Sequence, residues 1–246
     1  MSTSEFPPIV ELPFVNTPII PKNIFQTHKS KQYILGKPKL EKSVASWIQF
    51  KPEYKYYFYD DQACDLFMKE KMGGDIYKAY QRLPMAVMKA DLWRYCVIYY
   101  YGGIYADTDA QCLMKPDLFI NESLLTVAPE QSHNFFCQWT FAAPAGSPLL
   151  KRIIDLSVER ILSMKKIRGE HVIHYLTGPA VFTEGILQYL NENQHPTFSH
   201  VTEYHKYPKI FLKVFHPETF HKKIVLHTFA GSDADGWKNE RYRKLL

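Results

Sequence analysis

Met88-Lys89-Ala90-Asp91-Leu92-Trp93-Arg94-Tyr95, running on to Tyr100-Tyr101-Gly102-Gly103-Ile104-Tyr105-Ala106-Asp107-Thr108-Asp109, decides how the chain folds. From Met85 to Tyr101 there is no Gly or Pro, and apolar residues at 85, 88, 92, 95 and 99 step by three and four, the spacing of one helical face. Val97 to Tyr101 is apolar on every side, so the end of this helix is expected to be buried. Gly102-Gly103 stops the helix. Ile104-Tyr105-Ala106 then reads as a short strand ending in Asp107-Thr108-Asp109.

In an extended segment residues two apart point to the same side, so Asp107 and Asp109 are expected to face one point. Such a pair suits a hard divalent cation that keeps positions open for phosphate oxygens. It also stands at a strand end, where ligands gather in open α/β sheets. D-x-D alone is common in loops; the preceding helix makes it specific. Asp91 and Arg94 are three apart and share a face, so they can brace each other. Charges on a helix that becomes wholly apolar one turn later are costly unless paired.

Outward from this block, Pro21–Thr27 reads as a turn into a first strand, Ser43–Phe50 as helix and Tyr54–Tyr59 as strand. Asp60–Met72 has helical spacing, Leu124–Ala128 and Phe135–Ala143 read as strands, and Pro148–Met164 and Ala180–Asn191 as helices, with a late strand at Ile224–Phe229. Alternating strands and helices predict a mainly parallel α/β sheet in one domain, residues 21–246. Residues 1–20 carry Pro7, Pro8, Pro13 and Pro18 and read as an extended arm.

The 246 residues are 46% hydrophobic and 22% charged, which excludes disorder as the main state. Net charge is +5 with no run of five or six like charges, so no nucleic acid is demanded, and a phosphate-bearing small molecule fits equally well. Cys64, Cys96, Cys112 and Cys137 lie far apart and read as reduced core thiols. No signal peptide or transmembrane anchor is visible, and the expected location is the cytoplasm, as for a bacterial or viral enzyme.

The spaced string K-A-D-x-x-R-Y and G-G-x-Y-x-D-x-D closely resembles the signature of glycosyltransferase family 32, which includes fungal mannosyltransferases of the Golgi and bacterial capsule enzymes; the glucosylating domains of clostridial toxins are more distant. The resemblance implies a GT-A fold, with a Rossmann-like mainly parallel sheet flanked by helices. It also implies a retaining hexosyl transfer from a UDP- or GDP-sugar to a glycan, glycoprotein or glycolipid acceptor, with Mn²⁺ or Mg²⁺. Asp109 would hold the metal, with Asp107 sharing in it or holding the ribose and His227 binding the metal or the diphosphate, and Asp91 with Arg94 would fix the sugar. Ile20–His28 resembles the family's I-P-K-x-I-H-Q-x-W strand, so Phe25, Gln26, Thr27 and His28 would line the base, with His28 standing in place of Trp and Phe25 in place of His. Tyr105, Ala106 and Thr108 would belong to the donor-contacting strand end. Gln138 would lie by the reacting sugar face, where the family usually has Asn. Thr177 and Gly178 match the T-G-P turn near the donor. Gly231, Ser232 and Trp237 match a C-terminal H-x-x-x-G-S-W, with Trp237 displaced by four residues.

Retention needs a covalent intermediate or attack on the face the diphosphate leaves. Gln138 is a poor nucleophile and no carboxylate stands in its place, so same-face substitution is expected. A haloacid-dehalogenase-type phosphatase would want Thr or Val where Gln111 stands, and its D-x-D near the N-terminus. A non-catalytic nucleotide-sugar-binding relative is the other alternative. His171 and His174 are three apart, but no carboxylate pattern joins them into a metal site.

Overall fold

The computed structural model describes residues 19–130, 134–206, 211–230 and Lys238. Most of the expected arm, and Gly231, Ser232 and Trp237, lie outside the described residues. Six strands form one sheet in the order β2-β1-β3-β6-β5-β7. They are β1 (Asn23–Thr27), β2 (Lys55–Tyr59), β3 (Gly103–Ala106), β5 (Leu125–Val127), β6 (Thr140–Ala143) and β7 (Leu212–Val214). Parallel pairing joins β2 to β1, β1 to β3 and β5 to β7; β6 runs antiparallel between β3 and β5. A separate two-stranded ribbon pairs β4 (Ala110–Cys112) with β8 (Val225–His227), setting Ala110 opposite His227.

The helices are α1 (Lys31–Leu35), α2 (Pro38–Ile48), α3 (Asp61–Phe67), α4 (Gly74–Arg82), α5 (Ala86–Tyr101), α6 (Pro148–Ser163), α7 (Val172–Leu176), α8 (Pro179–Glu192) and the single turn α9 (Pro217–Thr219). Two cores flank the sheet. One gathers α3, α5, α6 and α8 with Phe25, Tyr105 and Phe141; the other gathers Trp47 of α2, Ile24, Ile104, Phe119 and Phe220. Residues alternate sides along β1 because successive strand side chains point to opposite faces. Helix α5 is buried all round from Asp91 to Ile98, as its uniformly apolar second half predicts.

Gly102 and Gly103 do more than end α5. Their φ angles are +67° and +127°, which L side chains rarely adopt, and a Cβ would lie 2.6 Å from the Ala145 nitrogen or the Asn23 carbonyl oxygen respectively. The pair lets β3 enter the sheet directly against the start of β1. That contact delivers Asp107 to the end of a central strand.

Several elements differ from the sequence reading. The strand expected over Phe135–Ala143 is split: Phe136 keeps an isolated antiparallel bridge to Pro129, with its N–H donating to the Thr183 hydroxyl of α8 at 2.8 Å, and only Thr140–Ala143 joins the sheet as a strand. The helix from Asp60 is capped by its carboxylate, which accepts from the Ala63 N–H at 2.9 Å, but after Phe67 it widens into a π turn that Gly73 ends. The expected strand at Ile224–Phe229 covers only Val225–His227. The D-x-D is not extended: Ala110 N–H donates to the Asp107 carbonyl at 3.0 Å, making a turn between β3 and β4. The four cysteines are free and buried. No helix among the described residues is long and apolar enough to cross a membrane.

Candidate active site

The site is built from two halves that meet at the D-x-D turn. The inner half starts on α5, where Asp91 and Arg94 pair at 2.9 Å, as their spacing predicts. Arg94 also reaches the Asp107 carboxylate at 3.2 Å, donates to the Gln138 carbonyl at 3.3 Å, and lies 4.7 Å from the Tyr105 ring centroid. One Asp91 oxygen accepts from the Gln138 amide at 3.3 Å as well, and the other accepts from the Thr177 hydroxyl at 3.1 Å. Tyr105 donates its hydroxyl to Asp107. Gln26 holds the turn from below, donating to the Asp107 carbonyl at 3.0 Å while accepting from the Tyr56 hydroxyl at 2.9 Å. Asp91 and Arg94 are 2% and 4% exposed, so this is a desolvated ion pair whose lone pairs are met by fixed donors. Burial pushes the Asp91 carboxyl up to about 7, against the pull of Arg94. Burial opposes the charge on Arg94, but Asp107, Tyr105 and Asp91 outweigh it and hold the guanidinium above its usual range.

The outer half is the ribbon. His227 at the end of β8 stands 3.3 Å from Asp109, whose other oxygen accepts from the Ala230 N–H at 2.8 Å. Thr228 binds the Asp109 carbonyl through both its N–H and its hydroxyl at 2.9 Å. Trp139 packs on the His227 ring at 4.6 Å. For Asp109, burial works upward but the bond from His227 prevails and lowers the pKa; for His227, burial works downward and Asp109 prevails. For Asp107, burial prevails over the opposing pull of Arg94 and the pKa rises. One ligand atom from each of Asp107, Asp109 and His227 lies within 4.8 Å of the others. Two carboxylates and an imidazole in that space form a donor set a divalent cation fits.

Beside the first turn of α5 is a cavity of about 280 Å³, at the C-terminal ends of β1 and β2. Its walls include Thr27, Cys64, Tyr80 and Met85, and its polar lining comes from Asp61, Asp65 and Lys89.

The structure therefore gathers Asp91, Arg94, Asp107, Asp109, Gln138 and His227 as expected, with Thr177 beneath Asp91. Other expected positions lie deeper. Phe25 is 1% exposed, its ring stacked on Tyr57 at 5.0 Å and on Tyr101 at 5.8 Å within the core that α5 covers. Gln26, Ala106 and Thr177 have no exposed surface, and Tyr105 and Thr108 almost none; they lie beneath the D-x-D turn and the Asp91–Arg94 pair. Gly178 is buried where a Cβ would meet the His174 Cα at 2.9 Å, so it is a packing glycine. His28 stacks on Tyr33, and Thr27 lines the cavity. Tyr95 and the residues Asp61 and Asp65 escaped the sequence reading. Tyr95 sits inside the quoted motif but reads there as one more apolar-face aromatic.

A mainly parallel sheet carrying a D-x-D turn at the tip of a central strand, with helices on its faces, is the GT-A glycosyltransferase architecture. Residues 37–126 match the family described as glycosyltransferase sugar-binding region containing DXD motif, so the chain carries that region, and the resemblance read in the sequence holds. The initiation-specific alpha-1,6-mannosyltransferase of Candida albicans is 28% identical over 222 residues, 74% of this chain and 56% of that protein. The Schizosaccharomyces pombe enzyme of the same name is 29% identical over 204 residues, 70% of this chain and 49% of that protein. A mannosyl phosphorylinositol ceramide synthase of Saccharomyces cerevisiae is 31% identical over 105 residues, 40% of this chain and 25% of that protein. The chain thus spans about half the length of the two mannosyltransferases. Among solved structures, the PaToxG glycosyltransferase superposes with a TM-score of 0.55 at 19% identity, covering 72% of each chain, which shows a shared fold.

Proposed function

We propose that this chain is a metal-dependent, retaining glycosyltransferase that moves a hexose from a nucleotide-sugar to a hydroxyl on a glycan, glycoprotein or glycolipid. The observation that carries the reading is the convergence of Asp107, Asp109 and His227 beside the buried Asp91–Arg94 pair. Mn²⁺ or Mg²⁺ held by Asp107, Asp109 and His227 would supply Lewis-acid stabilisation of the diphosphate leaving group.

The chain's own residues do the rest. Arg94 fixes one Asp107 oxygen, and Tyr105 donates to that same oxygen, leaving the other available to a cation. Asp91, held by Arg94, Gln138 and Thr177, sets the floor on which the sugar rests. In the transfer the bond from the anomeric carbon to the diphosphate oxygen breaks, its electron pair leaving with the diphosphate. The acceptor oxygen bonds the same carbon on the same face, and its proton passes to the departing phosphate. Gln138, two residues before β6, donates its amide to the Asp91 carboxylate at 3.3 Å, and an amide cannot serve as nucleophile; this supports same-face substitution. A trapped glycosyl-enzyme in mass spectrometry would overturn that step.

The cavity beside α5 is the proposed base site. Guanine offers N1–H and N2–H₂ side by side, a pattern that a carboxylate such as Asp61 or Asp65 accepts with two hydrogen bonds, whereas uracil offers one N–H between two carbonyls. The acidic lining supports a GDP-linked donor, and the named relatives support mannose as its sugar. The test is a donor panel assayed with Mn²⁺ and with a chelator. Metal-dependent turnover of a GDP-sugar is expected; no turnover or binding of any nucleotide-sugar would sink the proposal.

A further inference from the structure

Tyr95 lies one turn along α5 from Asp91, wholly buried, with its ring stacked on Phe182 of α8 at 5.4 Å and 16°. Its hydroxyl meets two acceptors, the Thr177 carbonyl oxygen at 2.7 Å and the side-chain Oε1 of Gln138. A phenol has one proton to donate, so it serves only one of the two at a time. Gln138 is meanwhile gripped elsewhere. Its backbone carbonyl oxygen accepts from Arg94, and its side-chain Nε2 donates to Asp91.

A glutamine amide has two nearly isosteric orientations, and its neighbours decide between them. Turned one way, Nε2 faces the Asp91 carboxylate and Oε1 faces the Tyr95 hydroxyl, a donor at one end and an acceptor at the other. Turned the opposite way, an oxygen would face the carboxylate and an N–H₂ would face a hydroxyl already able to bond Thr177. The first arrangement gives the Asp91 carboxylate a donor and leaves the single Tyr95 proton shared between Gln138 Oε1 and the Thr177 carbonyl, whereas the second sets an oxygen against a carboxylate in a dry network, where an unmatched polar group is expensive. The first leaves Nε2 with a second N–H, for which no acceptor is found among the described residues. Gln138 is 8% exposed, so it lies at the edge of the buried network rather than sealed inside it.

We propose that Tyr95 is a positioning residue: by donating to Gln138 Oε1 it fixes the amide so that one N–H braces Asp91 and the other is presented to the bound donor sugar. The second half of this statement rests on the transferase reading; the locked amide does not.

Two measurements test it, and they separate its failure from that of the transferase reading. The first follows the Gln138 side-chain amide protons by NMR in wild type and Tyr95→Phe, and needs no substrate. Protected, non-equivalent protons in wild type that exchange about tenfold faster in the variant are expected, the loss equivalent to one buried hydrogen bond. Equal protection in both proteins would overturn the lock. The second is a kinetic cycle of Tyr95→Phe, Gln138→Ala and the double variant. Tyr95→Phe should lower kcat by about tenfold with the donor KM moved less than about twofold, and the double variant should be no worse than Gln138→Ala alone. Losses that multiply, a Tyr95→Phe enzyme with wild-type kcat, or a loss carried by KM would each overturn the role. Wild-type protein with a protected amide but no turnover of any nucleotide-sugar would instead count against the transferase reading and the sugar-facing half.

Discussion

The two halves of the site are built to opposite specifications. On the α5 side, Asp91, Arg94, Tyr95, Gln138 and Thr177 are all at least nine-tenths buried and bonded to one another. On the ribbon side, the Asp109 and His227 side chains keep 13% of their surface, and Asp107, at the junction, keeps 25%. The inner carboxylate is matched by a guanidinium. For the outer two, the nearby cationic groups are a histidine and the same Arg94 nitrogen that already pairs with Asp91, so negative charge is left over at the point where solvent reaches. One half is a frame that must not move; the other is a socket that can exchange what it holds. Fold and chemistry should therefore be separable by mutation.

The largest effect expected on this division is at Arg94. Arg94→Met removes the partner of a buried carboxylate and should cost about 3–5 kcal/mol of stability as well as activity. Chemical denaturation measures it; a loss below about 1 kcal/mol would mean the inner half is not a frame. Asp109→Asn should do the reverse, lowering transfer by a factor of about 10²–10³ or more while the thermal midpoint stays within a few degrees, since its bonds are to backbone and a partly exposed histidine. Unfolding of this variant would merge the two halves into one structural unit. Asp107 spans both, and Asp107→Asn should show both losses together.

How much of this was legible from residues follows the same division. The helix from Met85, the glycine stop and the Asp91–Arg94 brace could be read because each depends on neighbours within a turn or two. The metal cluster was half legible: Asp107 and Asp109 are adjacent, but their convergence comes from a turn, not from the alternation of an extended strand. His227 is brought in by a strand pairing across more than a hundred residues, Ala110 opposite His227, which no local pattern encodes. The surroundings of Phe25 were not legible for a related reason. Side alternation on β1 puts Phe25 with α5 and Gln26 with the other core, and which face belongs to the nucleotide depends on where the helices pack. The placing of Thr177 against Asp91, with Gly178 buried behind it, depends on how α7 and α8 pack and is not written in the T-G-P turn itself.

Smaller effects sharpen the same contrast. Gly103→Ala would force a Cβ against the Asn23 carbonyl at 2.6 Å in a left-handed backbone, and should cost roughly 1–3 kcal/mol while displacing the D-x-D turn. Denaturation of the purified variant checks it, and a neutral result would show that β1 and β3 can separate without harm. Least of all, Phe25→Leu should leave nucleotide affinity unchanged within about twofold and cost no more than a core substitution of similar volume, about 1.5 kcal/mol. A tenfold loss of nucleotide binding in a folded Phe25→Leu protein would return that ring to the base site.

The central claim is that Asp107, Asp109 and His227 form a cation socket on an independently stable frame. Calorimetric titration of Mn²⁺ into the wild-type protein and into Asp109→Asn tests it most directly. The account predicts one Mn²⁺ per chain for wild type and at least a tenfold weaker site in a variant that remains folded. Equal Mn²⁺ binding by the two proteins, or none by either in the presence of nucleoside diphosphate, would contradict it.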